Sequence, residues 1–148
     1  MHWADYTAQR LMERGGKQVS ASGITPSGEF HIGHLREILS AEMIHRACLD
    51  AGMSSKYIFI VDSMDPLRRV YDFLSPEYEE FIGCPLAYIP APEEDGSPGD
   101  GSVTYANHFL SPFLDALEQI GVRPEVVMNH ETYEKGLFAE YIDSAITN

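Results

Sequence analysis

Two histidines three residues apart, His31 and His34, close the stretch Ser22-Gly23-Ile24-Thr25-Pro26-Ser27-Gly28-Glu29-Phe30-His31-Ile32-Gly33-His34. Residues at i and i+3 share one face of a helical turn. Both imidazoles would therefore reach the same spot. A triphosphate held there would meet donors where charge builds up as its oxygens rearrange. Gly33 lies between them and carries no side chain, so a flat base can rest against its backbone. Taken alone, a His-x-x-His pair also suits two histidines that merely cap or pack a helix start. A two-histidine zinc site is weaker still, because no third ligand is spaced nearby.

What favours chemistry is the setting. A short alternating run, Gln18 to Ala21, reads as a strand, and a long apolar-periodic run follows His34 and reads as a helix. Strand, glycine-rich turn and helix start converge backbone N–H groups and the positive end of the helix dipole on one point, which suits phosphate. Thr25 and Ser27 bring hydroxyls for a phosphate or a carboxylate, or for the turn itself. Asp62 follows the apolar run Tyr57-Ile58-Phe59-Ile60-Val61, a buried parallel strand. Ligands bind outside the carboxyl ends of such strands, and a carboxylate there suits a substrate ammonium. A helix cap or a salt bridge to Arg68 or Arg69 is the other account of Asp62, and of Asp65. His108, in Tyr105-Ala106-Asn107-His108-Phe109, either reaches into the site or sits on the surface. His2, His45 and His130 are expected to be structural.

The supporting elements follow in order. Trp3 to Arg14 reads as a helix stopped by Gly15-Gly16, and Lys17 to Gly23 as the first strand. His31 to Ala51 is a helix ended by Gly52. With the Tyr57–Val61 strand this makes a βαβ unit, hence an α/β fold with a parallel sheet. Residues 63–103 read as an irregular insertion, with one helical turn at Glu77–Phe81 and an exposed acidic loop at Glu93–Gly101. Thr104 to Ile120 is a helix in which Pro112 marks a kink or a break, Glu125 to Asn129 a third strand, and Tyr133 to Ile146 a last helix.

Bulk properties exclude several classes. The 148 residues are 44% hydrophobic, which rules out disorder. A net charge of −13 disfavours general nucleic-acid binding. Two isolated cysteines, Cys48 and Cys84, make neither a zinc site nor a disulfide framework. No signal peptide and no membrane span is visible, so a cytoplasmic protein is expected.

Pro26 to His34 resembles the HIGH signature of class I aminoacyl-tRNA synthetases in its literal spelling. Met1-His2-Trp3-Ala4-Asp5, Asp62-Ser63-Met64-Asp65-Pro66-Leu67-Arg68-Arg69-Val70, Gly83-Cys84-Pro85-Leu86 with Ile89-Pro90, and Tyr105 to Phe109 narrow the resemblance to the archaeal-type class I lysyl-tRNA synthetases. The resemblance implies a Rossmann-type (HUP-like) domain with helices on both faces of its sheet. It implies activation of lysine with ATP and magnesium, and ligation to tRNA(Lys). His31 and His34 would hold the ATP phosphates and Gly33 would lie under adenine. Thr25, Pro26, Ser27 and Gly28 would line the nucleotide, and Gly23 and Thr25 would lie near the lysine backbone. Asp62, Asp65 and His108 are the candidate partners of lysine.

Members of that family are longer and carry a KMSKS loop and an anticodon-binding domain. No stretch here resembles KMSKS, since Lys17 and Lys135 stand in other contexts. The 148 residues are therefore expected to match the N-terminal half of the catalytic domain. Alone, they should bind ATP weakly and not aminoacylate efficiently. The first strand, central in the family's order, would be left as an edge open to pairing with a second copy. Two rivals remain: a non-catalytic nucleotide-binding or interaction fragment, and a small HxGH-superfamily nucleotidyltransferase. The second lacks its usual Gly-His pair here, where Gly23-Ile24-Thr25 stands.

Overall fold

The computed structural model describes residues 1–147. Helix α1 (Trp3–Met12) leads into β1 (Lys17–Ile24), α2 (Ile32–Asp50) and β2 (Ser54–Val61). A 3-10 helix at Pro76–Phe81 punctuates the insertion. Then come α3 (Tyr105–Gln119), β3 (Glu125–Met128), α4 (Asn129–Glu134) and α5 (Ala139–Thr147). The three strands form one parallel sheet in the order β1-β2-β3.

The register sets the site. Ile24 pairs with Val61, and Val61 with Met128, so all three strands end in one line. The residues just beyond, Thr25, Asp62 and Asn129, stand side by side at the carboxyl edge.

The main core forms because one face of each strand is apolar. Ile24, Tyr57, Phe59 and Val61 pack with Ile38 and Ala41 of α2 and with Leu110, Phe113 and Leu117 of α3. Burying each of the larger side chains stabilises the fold by about 1.5–3 kcal/mol. The polar pair Ser22–Tyr57 in this layer is satisfied: Tyr57 donates to the Ile38 carbonyl (3.2 Å) and accepts from Ser22 (2.8 Å).

The sheet is flanked by helices, but α2 and α3 share a face instead of covering both. The opposite face leaves Val19 64% and Ile60 38% exposed. The order explains it. Two crossovers that step the same way along a parallel sheet, both with the usual right hand, lay their helices on the same side. A second face is covered only where the chain reverses direction. Strand β1 lies at one end of the order, as the three-strand reading requires.

Three local expectations change. Strand β2 begins at Ser54, not Tyr57, because the polar Ser54, Ser55 and Lys56 pair with Lys17, Gln18 and Val19. Helix α3 runs through Pro112 without a break. The last helix is two, separated around Gly136, whose φ of +67° favours glycine.

The insertion is not a loose loop. Leu67, Leu74, Tyr78, Leu86 and Ile89 form a second core against Tyr105, Ala106 and Phe109 of α3. Burial pushes the Tyr78 phenol up to about 12. Its acidic tip is pinned by backbone bonds from Ser75 to Gly96 and from Gly99 to Ala91. A third cluster seats α1 on α2 through Ala4, Ala8, Ala47 and Cys48. Among the described residues no helix is long and apolar enough to cross a membrane.

Candidate functional site

The turn between β1 and α2 is held from two sides. Tyr105 of α3 donates to the Ser27 carbonyl at 2.8 Å. Phe30 stacks on Phe113 at 4.3 Å between centroids and lies 5.1 Å from the His34 ring. Pro26 is fully buried, so it shapes the turn and offers no surface to a nucleotide.

The two histidines form a reciprocal cap on α2. His31 is the N-cap, and its Nδ1 accepts the Gly33 N–H at 3.0 Å. The Nδ1 of His34 accepts the His31 N–H at 3.0 Å. The rings lie 4.0 Å apart. A neutral imidazole whose Nδ1 accepts must carry its proton on Nε2. Both rings therefore present Nε2–H donors, and their tautomers are fixed by the backbone they cap. Desolvation lowers the His34 pKa, the His31 ring beside it lowers it further, and Glu37 opposes both. Capping, one of the two readings the sequence allowed, uses Nδ1 of each ring and leaves both Nε2 atoms outside the cap. Gly33 has a use the sequence did not suggest: a Cβ there would lie 2.8 Å from Cε1 of His31. On the outer side of β1, Gly33 joins Ala21, Ser22, Arg36, Glu37 and Ser40 around a depression of about 370 Å³.

The carboxyl edge of the sheet separates the two candidate aspartates. Asp65 accepts from the Thr25 hydroxyl (3.1 Å) and pairs with Arg68 (2.8 Å). Its charge is answered, and the Thr25 hydroxyl is engaged. Asp62 accepts from the Asn129 amide at 3.1 Å and, among the described residues, pairs with no cation. Gly23 lies one residue before the end of β1, exposed on the uncovered face. Gly28 packs near Phe73.

His108 stands apart. It lines a cavity of about 740 Å³ with Glu29, Phe73, Glu93, Asp100 and Phe109, and among the described residues makes no hydrogen bond to Thr25, Asp62 or Asp65. His2 caps α1 and His45 bonds Ser55, as expected of structural residues. His130 is structural too: its Nδ1 lies 2.8 Å from the hydroxyl of Ser63, one residue beyond Asp62. Asn129 escaped the sequence reading, as did the partner of His130, because the residues they bond lie 67 positions away. Among the described residues no three His, Cys, Asp or Glu side chains gather to hold a metal ion.

The sequence model of the class I tRNA synthetases (K) matches residues 1–148. The chain is 44% identical over 146 residues to lysine–tRNA ligase 1 of Methanosarcina acetivorans, covering 99% of this chain and 26% of that protein. It is 43% identical over 150 residues to the lysine–tRNA ligase of Methanocaldococcus jannaschii, covering 100% and 27%. Against the lysine–tRNA ligase of Archaeoglobus fulgidus it is 46% identical over 138 residues, covering 93% and 27%. The chain thus spans about a quarter of the length of the curated relatives it matches. With the strand–turn–helix and its paired histidines, a family match over the whole chain leads to one statement: the chain belongs to the class I tRNA synthetases (K).

Proposed function

We propose that this chain supplies the HIGH half of a site that activates lysine with ATP for ligation to tRNA(Lys), as the N-terminal half of a class I catalytic domain. One observation carries the reading: the reciprocal cap uses both Nδ1 atoms and so leaves two Nε2–H donors at the start of a 19-residue helix that follows a parallel strand. Such donors suit the phosphates of ATP, and the depression beside Gly33 suits its base. Magnesium would arrive on the triphosphate, since the donor set at the turn is imidazole and hydroxyl rather than a carboxylate cage.

In this proposal the lysine backbone lies near Gly23 and Thr25, and Asp62 takes the ammonium, because the Arg68 guanidinium already answers the charge of Asp65. His108 belongs to the adjoining cavity and is left outside the set. The reaction asks for positioning and charge stabilisation: the lysine carboxylate attacks the α-phosphorus in line as pyrophosphate leaves. The part that grips tRNA would lie mostly outside these residues, and the cell compartment would be the cytoplasm. The unpaired outer edge of β1 would accept a strand from a second copy.

The test is calorimetric titration of the chain with ATP and magnesium, with and without lysine, in wild type and His34→Ala. Binding that lysine tightens and His34→Ala abolishes is expected. A folded chain that binds no ATP, or binds it equally well after the substitution, overturns the reading.

A further inference from the structure

A carboxylate at the end of a strand has two free torsions, and nothing in β2 itself fixes where Asp62 points. The fixing comes from the neighbouring strand. Because Met128 pairs with Val61, Asn129 falls beside Asp62 in the row beyond the sheet. Its Nδ2 donates to Oδ1 of Asp62 at 3.1 Å. We propose that Asn129 is a positioning residue that holds Asp62 with one carboxylate oxygen tied and the other free to receive a ligand ammonium; this rests on the reading of Asp62 given above.

The chemistry of the side chain fits that task. An ionised carboxylate only accepts, so a partner must donate. A lysine or arginine would donate but would also neutralise the charge that attracts the ligand, as Arg68 does at Asp65. An amide donates and leaves the charge in place. Contrast between the two aspartates, three residues apart, is thus a contrast between a neutral and a cationic partner.

The backbone that carries Asn129 is held independently of its amide. The His130 N–H donates to the Ser63 hydroxyl at 3.1 Å, and the His130 ring bonds the same hydroxyl at 2.8 Å. Ser63 is fully buried. The Tyr88 ring meets His130 edge to face, and the Tyr88 hydroxyl donates to Glu134 of α4 at 2.7 Å. Removing the Asn129 amide leaves this clamp between β2 and α4 intact, so the substitution reports on Asp62 and not on the junction.

The experiment is an amide-resolved NMR titration of the ¹⁵N-labelled chain with L-lysine, in wild type, Asp62→Asn, Asn129→Ala and the double variant. Saturable shifts at Asp62 and Ser63 are expected in wild type. Asn129→Ala should weaken lysine binding about three- to tenfold, the effect of one hydrogen bond, with the amide shifts of α2 and β1 unmoved. The double variant should bind no more weakly than Asp62→Asn alone, since a residue acting through another has no effect once that other is gone. Asn129→Ala with wild-type affinity, or with the same loss in the Asp62→Asn background, overturns the positioning role and leaves the Asp62 reading standing. A wild-type chain without saturable lysine shifts, or an Asp62→Asn variant that binds like wild type, overturns the Asp62 reading and the proposal with it.

Discussion

A Cβ on Gly33 would lie 2.8 Å from Cε1 and 3.0 Å from Nδ1 of His31. The glycine is the space into which the N-cap imidazole folds. Gly33→Ala therefore has two opposing effects on stability. It gains about 1 kcal/mol of helix propensity and loses about 1 kcal/mol as the ring swings off its cap. Urea denaturation should show stability within about 1 kcal/mol of wild type. ATP binding should nevertheless fall about tenfold, because the displaced ring no longer aims its Nε2–H. Unchanged ATP affinity in Gly33→Ala would separate the cap from the proposed phosphate contact.

The cap that His31 makes and the ATP contact proposed for it can be divided by substitution. Asparagine caps helices well but has no donor at the Nε2 position. His31→Asn should keep stability within about 0.5 kcal/mol, whereas His31→Ala should lose about 1 kcal/mol. Both should weaken ATP binding about tenfold. Urea denaturation and calorimetry on the same samples read both effects. If His31→Asn binds ATP like wild type, the ring's role is confined to the cap.

Why parts of this were legible follows from where their signals lie. The β1–turn–α2 unit carries its pattern within about thirty residues, so strand, turn, helix and the paired histidines are all readable along the chain. Asp62 stands at the end of an apolar run and is legible for the same reason. Asn129 is not, since its meaning comes from a register between β2 and β3. The early start of β2 was hidden because Ser54, Ser55 and Lys56 are polar, and they become a strand only by pairing with β1. The second core was hidden because irregular backbone has no period, even though Tyr78 and Tyr105 are fully buried in it. The shared face of α2 and α3 is a property of strand order, which local periodicity does not carry.

Pro112 shows tertiary packing overriding a local rule. It sits in the interior of α3, where proline removes a helical bond and crowds the preceding turn at about 3 kcal/mol. Leu110, Phe113 and Leu117 keep the helix continuous by burying its apolar face in the main core. Pro112 itself is exposed. Pro112→Ala should raise stability by about 1–3 kcal/mol, measured by urea denaturation. No gain would mean that the helix is already distorted to accommodate the ring.

The last prediction concerns pH. The His34 pKa is held below its ordinary value, chiefly by desolvation, with the His31 ring adding to it and Glu37 opposing. The sign follows directly. Between the lowered folded value and the ordinary unfolded value near 6.5, the unfolded chain binds more protons at this position. Stability therefore rises with pH through that window, and is lost as pH falls below about 6.5. Geometry acts in the same direction, because a protonated Nδ1 becomes a donor and can no longer accept the His31 N–H. The contribution of His34 is read by comparing wild type with His34→Gln, which removes that imidazole alone. Wild type should lose more stability than His34→Gln between pH 8 and pH 5.5, and ATP affinity need not enter the measurement. Equal losses in the two proteins would show that the His34 ring takes its proton without releasing the cap.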